Sequence, residues 1–268
     1  KEVNINDEDQ VKAAIKGSDA VINCVGILEE SPGLQKFDLL HKKSAGKIAE
    51  ISKKFGVKRL TQISALGASD SSLSRYSRSK KEGENSVIEN FPEAVILRPS
   101  IIFGPEDEFF NRFAKMSVIS PVIPIVGGET VFQPIYVIDV AEAAFKSVAE
   151  ASHKGIYELG GPDVSSFKGL ISIMLKIVGR RRLVINLPFK IATIMALFLS
   201  SLKIVSLGLI PALITRDQVN SLRYPNTVQK SFRGAESFGI KPIALTAILP
   251  KYLWKYRKSG QFNEETLS

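Results

Sequence analysis

At 268 residues, with 44% hydrophobic and 24% charged residues, the chain is long enough for one large α/β domain with an appended lobe, or two small domains, and too apolar to be disordered. A formal net charge of +9 fits nucleic acid, an anionic membrane surface or acidic cofactors and partners, but no zinc-ligand spacing, RNA-binding signature or aromatic-basic interleaving supports nucleic acid. One cysteine excludes an internal disulfide, and two histidines beside it argue against a protein-built transition-metal site.

The chain opens on Lys1 with neither a signal peptide nor a transit sequence in its first residues. Glu2-Val3-Asn4-Ile5 reads as a strand end, followed by a helix that Asp7 or Asp9 can cap and that Val11, Ala14 and Ile15 make apolar on one face. Ala20 to Val25 is a continuous apolar run closed by Gly26, the pattern of a buried parallel strand, which makes Cys24 a buried thiol. Phe37 to Phe55 has helical period and stops at Gly56. A strand over Lys58–Ser64, a helix over Tyr76–Asn90 and a strand from Ala94 to Leu97, running into Arg98-Pro99, follow. This alternation predicts an α/β fold, a Rossmann-like parallel sheet with helices on both faces. Ligands of such sheets sit beyond the carboxyl ends of the strands, here Val25-Gly26, Ser64 and Pro99-Ser100.

Beyond Pro99 the pattern loosens. A helix is expected around Asp107–Met116, a strand over Gln133–Ile138, and a helix Val140–Ala149 capped by Asp139. Ile156–Leu159 reads as a short strand, and Ser165 or Ser166 caps a helix to about Val178. The expected division is 1–162, with 102–132 contributing to the second lobe, and 163–268 as a smaller, mostly helical C-terminal lobe. Residues 187–214 are the most apolar stretch, yet Lys190 and Lys203 interrupt it and no span reaches the ~20 residues that cross a bilayer. Core packing is its first reading, a membrane surface its second and a transmembrane span its third. The tail Lys251–Lys258 is an amphipathic helix with a solvated face, or a docking element for a membrane or partner.

The chemistry centres on Tyr76-Ser77-Arg78-Ser79-Lys80. Four residues make roughly one helical turn, so the phenol and the ammonium share a face. A lysine charge held beside a tyrosine favours the phenolate and moves its pKa towards the working range, so such a pair can pass a proton to or from a carbonyl or alcohol oxygen. With six tyrosines and many lysines in the chain the spacing alone is weak; Ser64, twelve residues upstream at a strand end, strengthens it. Ser64, Tyr76 and Lys80 are therefore the candidate catalytic residues. A dinucleotide site normally also has a glycine-rich turn after its first strand. No G-x-G-x-x-G or G-x-x-G-x-x-G occurs, and the start within a strand favours loss of an N-terminal βαβ portion.

Val21–Gly26, the strand to Ser64, Tyr76-x-x-x-Lys80, Arg98–Pro105 and Val137–Ala141 occur in the order seen in atypical extended short-chain dehydrogenase/reductases. Phe91–Ser100, Glu106–Phe113 and Thr215–Val219 narrow the likeness, and the chain resembles the Rossmann-fold accessory subunit family of respiratory complex I (alpha-subcomplex subunit nine) with its bacterial relatives. That resemblance implies a protein that holds NADP(H), with NAD(H) as the alternative, without turnover of its own. It implies partners among the complex I subunits near the quinone site, a membrane surface as a further neighbour, and no nucleic acid. The implied location is peripheral, on the cytoplasmic face of a bacterial inner membrane or the matrix side of the mitochondrial one. Carried over by residue, Asn4 and Ile5 would lie by the adenine and Val25 and Gly26 behind the cofactor. Tyr76 and Lys80 would contact the nicotinamide ribose, and Pro99, Ser100 and Ile101 the carboxamide.

The family's catalytic members often carry a Ser or Thr two positions past the strand-end serine, where this chain has Leu66; that shifts the expectation from an active NAD(P)-dependent reductase or epimerase acting on a nucleotide-sugar-like or other carbonyl substrate towards a cofactor-stabilised subunit. Without the opening strand the edge of the sheet would be bare, so this polypeptide alone is expected to fold poorly and to bind dinucleotide weakly or not at all.

Overall fold

A computed structural model describes residues 2–31, 33–196, 215–258 and 260. They form two compact units: 1–99, 140–159 and 228–241 make the first, and 100–139, 160–227 and 242–268 the second. The chain passes between the units after residues 99, 139, 159, 227 and 241.

The first unit is a four-stranded parallel sheet in the order β1 (Ala20–Asn23), β2 (Arg59–Ile63), β3 (Val95–Pro99), β8 (Gly155–Leu159). Every residue of β3 is buried, as the continuous apolar run of a central parallel strand requires. Helix α1 (Glu8–Ile15) starts at Asp7, whose carboxylate accepts from the Asp9 and Gln10 amides. Helix α3 (Arg75–Asn90) starts at Ser74, whose hydroxyl accepts from Ser77 N–H at 3.2 Å. The period over 37–55 resolves into two pieces, a six-residue π-turn Asp38–Lys43 and helix α2 (Ser44–Lys54), which ends where Gly56 takes φ +71°. Val11, Ala45, Ile48, Leu60, Val87 and Ile96 belong to the core of α1, α2, α3 and the sheet. Each of the Val, Leu and Ile side chains contributes about 1.5–3 kcal/mol by burial.

Two readings of single residues need correction. Cys24 is exposed, because β1 pairs only with β2 among the described residues and so forms an edge. Ile22 on the same strand is also exposed. Asp139 does not precede its helix: α5 (Val137–Ala149) begins earlier than its polar start signal indicated, leaving Asp139 in the first turn, where its carboxylate accepts the Ile243 N–H at 2.9 Å.

A buried ion cluster ties sheet to helix. Arg98 on β3 grips Glu84 on α3 through two bonds, Nε to Oε1 at 2.8 Å and NH2 to Oε2 at 2.6 Å, and reaches Glu158 on β8 at 3.4 Å. Glu158 also accepts from the Gln229 amide, and the guanidinium lies 5.1 Å from the Phe232 ring centroid. Both carboxylates are almost fully excluded from solvent. Every charge here is met by a geometrically matched partner, the condition under which buried ions are tolerated.

Among the described residues the second unit has three two-stranded pairings: β4 (Ile102–Phe103) with β7 (Ile135–Tyr136), β5 (Val122–Val126) with β10 (Leu183–Leu187), and β6 (Val131–Phe132) with β9 (Ser165–Ser166), the first two parallel and the last antiparallel. Its core is aromatic: Phe109, Phe113 and Phe132 surround Phe167, with centroids 5.3–6.5 Å apart. Helices α4 (Phe110–Ile119), α6 (Phe167–Ile177) and α9 (Leu245–Leu253) enclose it. The Asp107 carboxylate takes the Phe110 and Asn111 amides and the Tyr252 hydroxyl, which anchors the first turn of α4. Helix α7 spans 189–196 in its described part, and α8 (Arg216–Ser221) opens with a capping box between Thr215 and Gln218. Most of the apolar stretch 187–214, from 197 on, lies outside the described residues. Among those described, no helix is long and apolar enough to cross a membrane.

Removing one partner of a buried ion pair strands the other charge. Glu84→Ala is therefore expected to lower unfolding free energy by about 3–5 kcal/mol, read as a shift of the urea midpoint; a loss below about 1 kcal/mol would show that Arg98 finds its partners elsewhere.

Candidate functional site

Helix α3 begins right after a loop from β2, so its first turns lie at the carboxyl ends of β1 and β2 and carry Tyr76 and Lys80 there. Lys80 Nζ is 5.9 Å from the centre of the Tyr76 ring. The lysine is buried, and among the described residues its one hydrogen-bond acceptor is the Ile63 carbonyl at 3.4 Å. An ammonium has three N–H donors, so most of its capacity is unspent inside the protein. Gly26 makes room for this arrangement: a Cβ there would stand 2.8 Å from Lys80 Nζ. The structure thus brings Gly26, Tyr76 and Lys80 together.

The electrostatics differ from the expectation for the pair. Burial pushes the Tyr76 phenol up to about 12, and the lysine does not bring it down. Burial also draws Lys80 down to about 8, opposed by the Glu84 and Cys24 charges. Near pH 7 the resting site therefore holds a neutral phenol and a cationic lysine.

Ser64 is not part of this group's hydrogen bonding. Its hydroxyl donates to Glu84 Oε1 at 2.6 Å, inside the Arg98 cluster. Leu66, two residues on, is buried, with its amide on the Pro99 carbonyl at 2.9 Å. Pro99 closes the buried strand β3. Ser100 and Ile101 belong to the second unit, where the Ser100 hydroxyl donates to Asn226 Oδ1 at 2.7 Å and Ile101 packs on the aromatic core.

Ile5 and Val25 line an open apolar groove of about 380 Å³ along α1 and β1, with Val11, Val21 and Ile48 among its walls. Asn4 is exposed at the head of α1, its amide on Gln10 Oε1 and its own Oδ1 on the Asn6 amide.

Sequence reasoning passed over His41. It sits in the π-turn, 3% exposed, with both ring nitrogens engaged: Nε2 accepts from Ile27 N–H at 3.0 Å and Nδ1 lies 2.8 Å from Ser79 Oγ. Its ring stacks on Phe37 at 5.2 Å and meets the Tyr76 ring edge-on at 5.5 Å. Burial and the Lys80 charge hold the imidazole down to about 3, so it stays neutral. A histidine among the apolar residues Leu39 and Leu40, in a chain with only two, was the signal available.

Residues 2–112 match a family model described as NAD(P)H-binding. The chain is 34% identical over 269 residues to the mitochondrial NADH dehydrogenase [ubiquinone] 1 alpha subcomplex subunit 9 of Arabidopsis thaliana, aligning 98% of itself with 66% of that protein. It therefore spans just under two thirds of this relative's length. It is also 32% identical to the ceramide reductase of Caulobacter vibrioides over 134 residues, half of this chain and 41% of that one. Among solved structures, the NAD complex of UDP-glucose 4-epimerase from Thermus thermophilus superposes with a TM-score of 0.67 over 96% of this chain and 84% of that one, at 15% identity, a likeness of fold. The chain belongs to the NADH dehydrogenase alpha subcomplex subunit 9 family and has a Rossmann-like fold, with the NAD(P)H-binding match over residues 2–112.

Proposed function

We propose that this protein is an accessory subunit of NADH:ubiquinone oxidoreductase that holds NADP(H), in preference to NAD(H), as a structural cofactor. The observation that carries the reading is the Lys80 ammonium, buried and under-used, beside Gly26 and Tyr76. It fits the hydroxyls of a nicotinamide ribose, with the Tyr76 phenol as a second donor. Val25 and Gly26 would back the cofactor, with Asn4 and Ile5 towards its adenine. Pro99, Ser100 and Ile101 are proposed to meet the carboxamide. When bound, the dinucleotide supplies a reducible nicotinamide; this chain's residues bind and orient it. The Ser64 hydroxyl donates to Glu84 and Leu66 has no hydroxyl, so neither offers an O–H for polarising a carbonyl oxygen. A ligand that binds only the native state stabilises it by RT ln(1 + [L]/Kd), so a cofactor can serve a fold without turning over.

The proposed partners are the other complex I subunits near the quinone site, with the protein peripheral on the matrix or cytoplasmic side of the inner membrane. The relative's name supports the complex I and mitochondrial parts of this assignment. The proposed domain roles are a dinucleotide-binding part within 1–162 and a docking lobe within 163–268. A second reading, an active reductase with Tyr76 as proton donor, is favoured by the 32% identity to a ceramide reductase; its substrate would be a nucleotide-sugar-like or other carbonyl compound.

Three outcomes test these readings. The full-length protein is expected to co-purify with membrane-extracted complex I and to release NADP(H) on denaturation; recovery in the soluble fraction with no partner counts against the first reading. Tyr76→Phe is expected to weaken NADPH binding a few-fold in calorimetry with the fold intact; if it instead abolishes a measurable carbonyl reduction, the second reading takes precedence. Because Lys80 loses its charge above about pH 8, dinucleotide affinity should fall as pH rises through that value, and Lys80→Met should flatten the profile.

A further inference from the structure

Three segments of the first unit converge on one imidazole. The loop after β1 donates Ile27 N–H to His41 Nε2 at 3.0 Å. That bond makes Nε2 an acceptor and leaves the proton on Nδ1, which can then only donate to Ser79 Oγ, 2.8 Å away. Ser79 in turn donates to the Tyr76 carbonyl at 2.8 Å. The bonds run in one direction: loop amide to imidazole, imidazole to serine, serine to the first turn of α3.

The backbone is fixed as tightly. A Cβ on Gly83 would fall 2.0 Å from the His41 carbonyl oxygen, so α3 packs directly on the π-turn at that point. A Cβ on Gly26 would lie 3.5 Å from His41 Nε2 as well as close to Lys80 Nζ. The groups facing the ring are Lys80 and Tyr76, both from α3, while Cys24 acts on Lys80 from the β1 side. On its own segment Lys42 and Lys43 pair with Glu82 and Asp38. A charged imidazole would be a second buried cation next to Lys80, and the arrangement holds only while the ring is neutral.

From this geometry we infer that His41 is a positioning residue of the dinucleotide site, whose neutral Nδ1–H tautomer sets the Tyr76–Lys80 turn against the Gly26 loop. The inference rests on the NAD(P)H-holding function proposed above. His41 is not assigned any contact with the dinucleotide; it acts through Ser79 and Ile27. An exposed histidine would titrate near 6.5 and repel Lys80 in mildly acid solution; this one keeps the site unchanged through that range.

The substitutions separate hydrogen bonding from shape. In the full-length protein His41→Phe keeps the stack on Phe37 but loses both bonds, and should weaken NADPH binding about tenfold, the scale of one lost positioning link. His41→Asn can keep the donor to Ser79, and His41→Gln the acceptor for Ile27, so both should bind more tightly than His41→Phe. Imidazole nitrogen NMR of the unsubstituted protein, assigned by the signal missing from His41→Phe, should show a neutral Nδ1–H ring that does not titrate between pH 5 and 8. His41→Phe binding within twofold of the unsubstituted protein overturns the proposal. So do Asn and Gln variants as weak as Phe, or a ring that titrates near 6.5. If His41→Phe does not fold, Ser79→Ala takes its place with the same criterion. An unsubstituted protein that binds no dinucleotide overturns the function as well as the proposal, a result distinct from binding that is indifferent to His41.

Discussion

The fork between Arg98 and Glu84 decides where α3 can stand, and with it everything the helix carries. Two parallel bonds from a planar guanidinium to a carboxylate fix both distance and rotation, which a single lysine contact would not. Glu84 is one turn beyond Lys80 on the same helix, so holding it against β3 also sets how Lys80 approaches the Ile63 carbonyl. Ser64 is drawn into the same cluster from the end of β2. One buried interaction thereby positions the turn that carries Lys80 and occupies the Ser64 hydroxyl.

The electrostatics of this group favour the holding role proposed above. Its phenol is kept protonated by burial, its ammonium has donors to spare, and its histidine is locked in one neutral form. A proton-transfer site would instead bring the acid and base pKa values towards the working pH. The second unit contributes a separately organised aromatic core, whose Asp107–Tyr252 contact joins the start of α4 to α9 across most of that unit's sequence.

Much of the first unit was legible because its signals are local. The apolar runs at 20–25 and 94–97 contain β1 and most of β3, Asp7 caps the helix that follows it, and Tyr76 and Lys80 share a helix face. What escaped was set by distant partners. Cys24 looks buried in its own sequence, and only the strand order shows that β1 is an edge. The lowering of the Tyr76 pKa by its lysine is a sound pairwise expectation that burial outweighs. Leu183–Leu187, a short run outside the predicted elements, is a strand that pairs with β5, a partner some sixty residues away. The commitment of Ser64 to Glu84 joins residues twenty apart in sequence and cannot be read from spacing.

The π-turn carries a constraint on chain length. An α-helix turns about 100° per residue, and a π-turn accommodates one residue more than the helix it interrupts. Deleting Leu39 or Leu40 would let the segment run on into α2 as an ordinary helix. His41 would then swing by about a quarter turn away from Ser79 and Ile27, although no side chain in the cluster had been altered. In this stretch the count of residues matters as much as their identity, and a shortened homologue would have to secure the Gly26 loop by some other means.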